Sequence, residues 1–172
     1  MACSIIRSLT TSILLPIVLA LTAGMAIAQQ KTLKQQLVGT WTFVSTSAKL
    51  PDGSSAWGTN PRGQLIFTEG DRYSVQIMRS DLPKYASNNR MKATPEELKA
   101  TIEGMISYFG TYSVSEADKT ITLKTEGSSF PNWTGADQKR IVISLSADEL
   151  KYTNPATSRG GGTSDLTWKR AK

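Results

Sequence analysis

No histidine occurs anywhere in this chain, and its single cysteine is Cys3. The first absence removes the commonest general base and the commonest metal ligand together. A Ser-His-Asp triad, a zinc site built on His or Cys, and haem ligation by His are all excluded. No catalytic residue, metal site or cofactor is assigned. The second absence leaves everything after the N-terminal segment without a disulfide, so apolar burial has to hold the fold unaided. Of the 172 residues, roughly 144 follow that segment, enough for one such core.

Long apolar runs are also scarce. The one candidate is Ile13-Leu14-Leu15-Pro16-Ile17-Val18-Leu19-Ala20-Leu21, which is short and interrupted by Pro16. Arg7 precedes it, and Ala26-Ile27-Ala28 offers a small-x-small cleavage site before Gln29. Residues 1–28 therefore read as a secretory signal rather than a transmembrane anchor. The expected location is periplasmic or secreted, with no stable membrane insertion after cleavage. The net charge is +6, but the basic residues are spread along the chain without an aromatic–basic motif. Nucleic acid is not an expected partner.

What is present is β pattern. After a short polar segment over 29–36, Leu37-Val38-Gly39-Thr40-Trp41-Thr42-Phe43-Val44 opens the first strand. Trp41 and Phe43 share one face by strict alternation. In the last strand, Leu166, Trp168 and Arg170 share a face. If those strands are neighbours, Arg170 lies across the Trp41 ring as a cation–π contact. Further strands are expected over 63–68, 72–78, 108–114, 119–125, 138–145, 149–153 and 164–170, with the first over 40–48. Gly110, in mid-strand, marks a bend or a close backbone approach. The long first loop carries Trp57, which is expected to fold back over apolar surface. One helix is predicted over 95–106. Thr94 is its N-cap, Pro95 suits the first turn, and Glu97 completes a capping box. Its stripe of Leu98, Ile102, Met105 and Ile106 is expected to pack on the barrel, as a lid or a plug at one mouth. Short strands joined mostly by hairpin turns predict an eight-stranded antiparallel up-and-down barrel over 37–172, with a two-sheet sandwich as the alternative.

Several phrases carry a family resemblance: Gly39-Thr40-Trp41 with the final-strand arginine, Gly63-Gln64-Leu65-Ile66, Tyr73-Ser74-Val75-Gln76-Ile77-Met78-Arg79, Tyr108-Phe109-Gly110-Thr111-Tyr112, and Phe130-Pro131-Asn132-Trp133-Thr134-Gly135-Ala136-Asp137-Gln138-Lys139-Arg140. Together they resemble the bacterial and fungal lipocalin-like domain family, from Leu37 to Arg170. The resemblance implies an all-β lipocalin-like barrel. Some fungal relatives act in tailoring polyketide-type products. Many relatives carry a histidine on the fifth strand, where this chain reads Ile121-Thr122-Leu123-Lys124, so histidine-dependent chemistry does not carry over.

A barrel interior of Tyr73, Val75, Ile77, Tyr108, Tyr112, Ile121, Leu123, Ile141, Ile143, Leu150 and Tyr152 is expected. The candidate ligand-binding residues are Tyr73, Ile77, Arg79, Tyr108, Tyr112 and Trp133, with Arg79 at the rim to meet a carboxylate. Gly39, Trp41, Arg140 and Arg170 are assigned to structure. Strict alternation points Arg140 outward, a bulge near the strand start would reverse that, and Arg140 is expected to support the fold by hydrogen-bonding the 131–135 loop. The expected partner is a small apolar or amphipathic molecule. An isomerase or cyclase using the barrel tyrosines and an envelope interaction module are the alternatives. Asn132-Trp133-Thr134 matches a glycosylation acceptor that is expected to go unused.

In a secreting bacterial host the processed protein is expected to begin at Gln29. Intact-mass measurement checks this, and a mass retaining residues 1–28 contradicts it.

Overall fold

The computed structural model describes residues 31–160 and 162–172. Residues 1–30, with the expected signal and its cleavage site before Gln29, lie outside the described residues. Eight strands close into one barrel in sequence order: β1 (Gly39–Thr46), β2 (Arg62–Phe67), β3 (Arg72–Met78), β4 (Met105–Ser115), β5 (Thr120–Ser128), β6 (Asp137–Leu145), β7 (Glu149–Asn154) and β8 (Ser164–Arg170). Each strand pairs antiparallel with the next, and β1 pairs with β8 to complete the circle. The barrel was expected from the strand count, and closure rules out the sandwich.

The closed end is built by the first and last strands. A short helix α1 (Leu33–Leu37) starts at Thr32, whose side chain caps Gln35 while Gln35 caps back. The α1 carbonyls then become acceptors. Trp41 Nε1 donates to Leu37 O at 2.8 Å. Arg170 Nη2 and Nη1 donate to Gln36 O and Val38 O at 2.7 and 3.0 Å. The Arg170 guanidinium lies 4.0 Å from the Trp41 ring centre, as expected. Trp41 is fully buried, so its indole is both the floor of the core and the platform for this cation. Gly39 adopts φ +130°, and a Cβ there would lie 2.7 Å from Arg170 Nη1. Only glycine lets the chain enter β1 beneath that guanidinium.

Bulges decide which side chains face inward. Phe109 pairs with Gly127 and Gly110 with Thr125, leaving Glu126 as the extra residue on β5. At Gly110 a Cβ would meet Lys124 O at 2.0 Å, the close approach expected of that glycine. A second irregularity falls in β6, where Val142 pairs with Tyr152 and Ser144 with Lys151, so Ile143 is inserted. Before the bulge Gln138, Arg140 and Val142 face the core; after it Leu145 turns in.

This corrects two expectations. Ile141 and Ile143 are 46% and 49% exposed rather than interior, and Arg140 is 1% exposed rather than outward. Alternation traced back from Leu145 gives the wrong face because a single inserted residue reverses it.

The helix α2 (Pro95–Gly104) has the predicted Thr94–Glu97 capping box. It ends earlier than expected. Met105 and Ile106 belong to β4, pairing with Met78 and Ile77. The β3–β4 ladder overrides the helical spacing of those residues. The stripe is not packed on the barrel either: Leu98 and Ile102 are 45% and 71% exposed.

Arg170→Ala is expected to lower the unfolding free energy by about 1–3 kcal/mol, through loss of the cation–π contact and the bonds to buried-end carbonyls. Arg79→Ala should cost less. Chemical denaturation of both variants checks the order, and the reverse order would place the closing contact elsewhere.

Candidate functional site

The opposite end of the barrel is lined by polar and aromatic groups. The first loop folds back on itself, with Ala56 N donating to Ala48 O at 3.0 Å, and this buries Ala56 and Trp57. Trp57 therefore covers apolar surface as expected. Beneath it lies a cavity of about 40 Å³, bordered by Ile77, Ile106, Tyr108, Trp133, Asn154 and Leu166 among others. A larger hollow of about 350 Å³ opens outside it, bordered by Ile102, Met105, Phe130 and Ser129. Trp57, Ile106, Ser158 and Arg159 border both. The Arg159 guanidinium stands 5.0 Å from the Trp57 ring centre and donates to the carbonyls of Ala56 and Glu103. Burial holds the Arg159 pKa below its ordinary value. Trp57 and Arg159 thus stand together at the border of both spaces.

Arg140 is the largest charged group inside the barrel. It points inward from β6, opposite Ile121 of β5. Its Nη1 donates to Lys139 O at 2.7 Å and Asn154 Oδ1 at 3.0 Å, and its Nη2 donates to Tyr108 Oη at 3.2 Å. Its Nε is buried without a hydrogen-bond partner. Three rings surround the guanidinium: Tyr108, Trp133 and Tyr152, each 5.9 Å away at the centroid. Trp133 comes from a short 3-10 turn (Pro131–Trp133) and packs edge-on against Tyr108 at 5.1 Å. It both staples its loop and borders the cavity. Arg140 meets this loop through the Trp133 ring, not through the loop hydrogen bonds that were expected.

The expected ligand-binding residues divide. Ile77, Tyr108 and Trp133 border the inner cavity. Tyr73 and Tyr112 sit among the core side chains below it. Tyr73 shares a hydrogen bond with Thr125 at 3.0 Å, and Tyr112 donates to Thr68 O at 3.0 Å while its ring packs on Phe67. Arg79 lies just past β3 and is held by Asp81, with contacts of 2.8 and 2.6 Å. Its fork is occupied, so it is not the free cation that was expected at the rim. Asn154, Trp57 and Arg159 were missed as site residues. For Asn154 the signal was its place on the inward face of β7, in phase with Leu150 and Tyr152. For Arg159 there was none, because it comes from a glycine-rich connection.

Every aspartate and glutamate lies outside the buried set. Burial pushes the Tyr73 phenol up to about 12 and moves Tyr152 upward as well. Both stay neutral at ordinary pH. An unfolded phenol ionises near 10. Between these values the unfolded chain sheds a proton that the folded chain keeps, so stability falls as pH rises through the window and is fully present below it. Tyr73→Phe should show a smaller alkaline loss of unfolding midpoint between about pH 10 and 12 than the parent protein. An equal loss, followed by circular dichroism, would show that Tyr73 does not carry the effect.

Known proteins align with this architecture. A model of the lipocalin-like domain matches residues 38–171. The 4'-hydroxy-3'-methoxypropiophenone carrier protein ppsC of Aspergillus oryzae is 30% identical over 105 residues, covering 56% of this chain and 95% of that protein. Among solved structures, a de novo designed fluorescence-activating β-barrel is similar with a TM-score of 0.43 at 15% identity, over 83% of this chain and 100% of that one. The family match runs from the residue before β1 to the residue after β8, and so spans all eight strands. This chain belongs to the lipocalin-like domain family.

Proposed function

We propose that this protein is an exported binding protein that holds a small, mainly apolar molecule at the open end of the barrel. The observation that carries this reading is the pair of spaces that Trp57 and Arg159 both border. The inner one, at about 40 Å³, has room for a head group of a few atoms, and the outer one, at about 350 Å³, has room for a larger apolar body. Ile102, left exposed by α2, has a purpose here as an apolar wall of the outer space. The name of the fungal relative, a carrier of 4'-hydroxy-3'-methoxypropiophenone, supports the same reading. An isomerase or cyclase would call for a carboxylate beside a barrel tyrosine, and none of the acidic residues is buried. Residues 1–28 support export, to the periplasm or beyond.

The binding route runs past Trp57 and Arg159. Displacing the Arg159 side chain and turning the Trp57 ring joins the two spaces, with the barrel strands left in place. The uncharged dye N-phenyl-1-naphthylamine is expected to bind saturably at one site and to quench tryptophan emission, since Trp57 and Trp133 both border the cavity. Trp57→Ala should speed binding several-fold by removing the ring over the entrance. Stopped-flow fluorescence reads both. Non-saturating uptake, or a rate insensitive to both Trp57→Ala and Arg159→Ala, would overturn this route.

A further inference from the structure

We infer that the molecule bound in the barrel carries an anionic oxygen, a carboxylate or an ionised phenol, seated against Tyr108 and Asn154 with the buried Arg140 as its counter-ion. This rests on the binding reading above and specifies its ligand class.

The argument begins from charge. Arginine cannot discharge itself by losing a proton at any ordinary pH. A guanidinium that is 1% exposed is therefore a full positive charge removed from water, which is costly without a partner. Arg140 takes part in none of the ion pairs among the described residues, and no carboxylate is buried with it. Burial raises the pKa values of the Tyr73 and Tyr152 phenols, so these two stay neutral and bring no negative charge to Arg140. Its acceptors are neutral oxygens, and three ring faces give partial compensation. Its Nε has no hydrogen-bond partner of ordinary geometry, and the Tyr152 phenol beside it is neutral.

The second arginine of the barrel shows what a purely structural arrangement looks like here. Arg170 has each of its three nitrogens bonded to a backbone carbonyl: Nε to Ala147 O, Nη1 to Val38 O and Nη2 to Gln36 O. It lies flat on Trp41 at the closed end, partly exposed to solvent. Arg140 is deeper, less satisfied and next to a cavity.

Position completes the case. Tyr108, Trp133 and Asn154 touch Arg140 on one side and border the inner cavity on the other. Tyr108 accepts from Arg140 through its oxygen, so its own hydroxyl hydrogen remains to donate into the cavity. An oxyanion entering there meets a phenol O–H polarised by a cation behind it, and its charge offsets that of the buried Arg140. The apolar body of the same molecule extends past Trp57 into the outer space.

The test uses the mature protein and three probes of one shape: 2-naphthoate, 2-naphthamide and 2-naphthol, titrated by calorimetry at neutral pH. Naphthoate is expected to bind at least about tenfold more tightly than naphthamide, the scale of one charge-assisted hydrogen bond. Arg140→Gln should reduce that preference to near parity. If naphthol binds with the absorption spectrum of naphtholate, the ionised phenol is a source of the anion alongside carboxylate. The comparison within the unaltered protein stands even if Arg140→Gln fails to fold. Equal affinity for naphthoate and naphthamide, a preference for naphthamide, or a naphthoate preference that survives Arg140→Gln would overturn the inference while leaving a binding barrel in place. Failure of all three probes and of N-phenyl-1-naphthylamine to bind would overturn the binding reading and this inference with it.

Discussion

The barrel depends on the contact between Arg170 and Trp41. An eight-stranded sheet left open has two edges whose backbone groups seek partners. Here the edge strands β1 and β8 find each other, and Trp41 pairs with Arg170 at the end of that seam. The same arginine ties the α1 carbonyls to the barrel floor, and the Trp41 indole hydrogen does likewise. One cation and one ring therefore close the sheet, cap its lower end and orient the N-terminal helix. Gly39 is required because the chain passes too close to the guanidinium for any Cβ. With that end sealed and without any disulfide, the open end is free to be irregular.

The open end uses that freedom. Its loops bring Trp57 and Arg159 over the mouth, and α2 stops at Gly104 so that β4 can complete its ladder with β3. The interior beneath is not a uniform apolar filling. Leu37, Leu65, Val75, Ile121, Leu123 and Leu150 are buried apolar side chains. Arg140, Asn154 and Ser164 are buried polar ones, and the rings of Tyr108, Trp133 and Tyr152 surround the Arg140 guanidinium. Apolar burial supplies stability, whereas a buried guanidinium has a cost.

Much of the fold was legible from local pattern. The strands came from two-residue alternation and the helix start from the Thr94 box, while the closing pair came from matching faces of the first and last strands. The site was less legible. Of the expected ligand-binding residues, Ile77, Tyr108 and Trp133 border the inner cavity, and Tyr73 and Tyr112 share their inward faces without bordering it. How deep a residue lies along a strand is not encoded in alternation. Arg79 was expected to meet a ligand carboxylate, and the carboxylate it meets in the structure is that of Asp81, two residues away.

Arg140 shows the limit most clearly. The sequence by itself determined the number and order of strands, the capped helix, the absence of histidine and disulfide chemistry, and the Trp41–Arg170 seam. These depend on residue type and short-range period, which the chain carries in itself. The tertiary structure alone decided that Arg140 points inward, that Ile141 and Ile143 point out, and that Trp57 and Arg159 meet over the mouth. The first two follow from the one-residue bulge at Ile143, whose position is set by the pairing of β6 with β7. The last follows from loops 102 residues apart in sequence brought to one end of a closed barrel. A single inserted residue reverses every side chain on one side of it, and alternation within a strand carries no mark of where that residue falls.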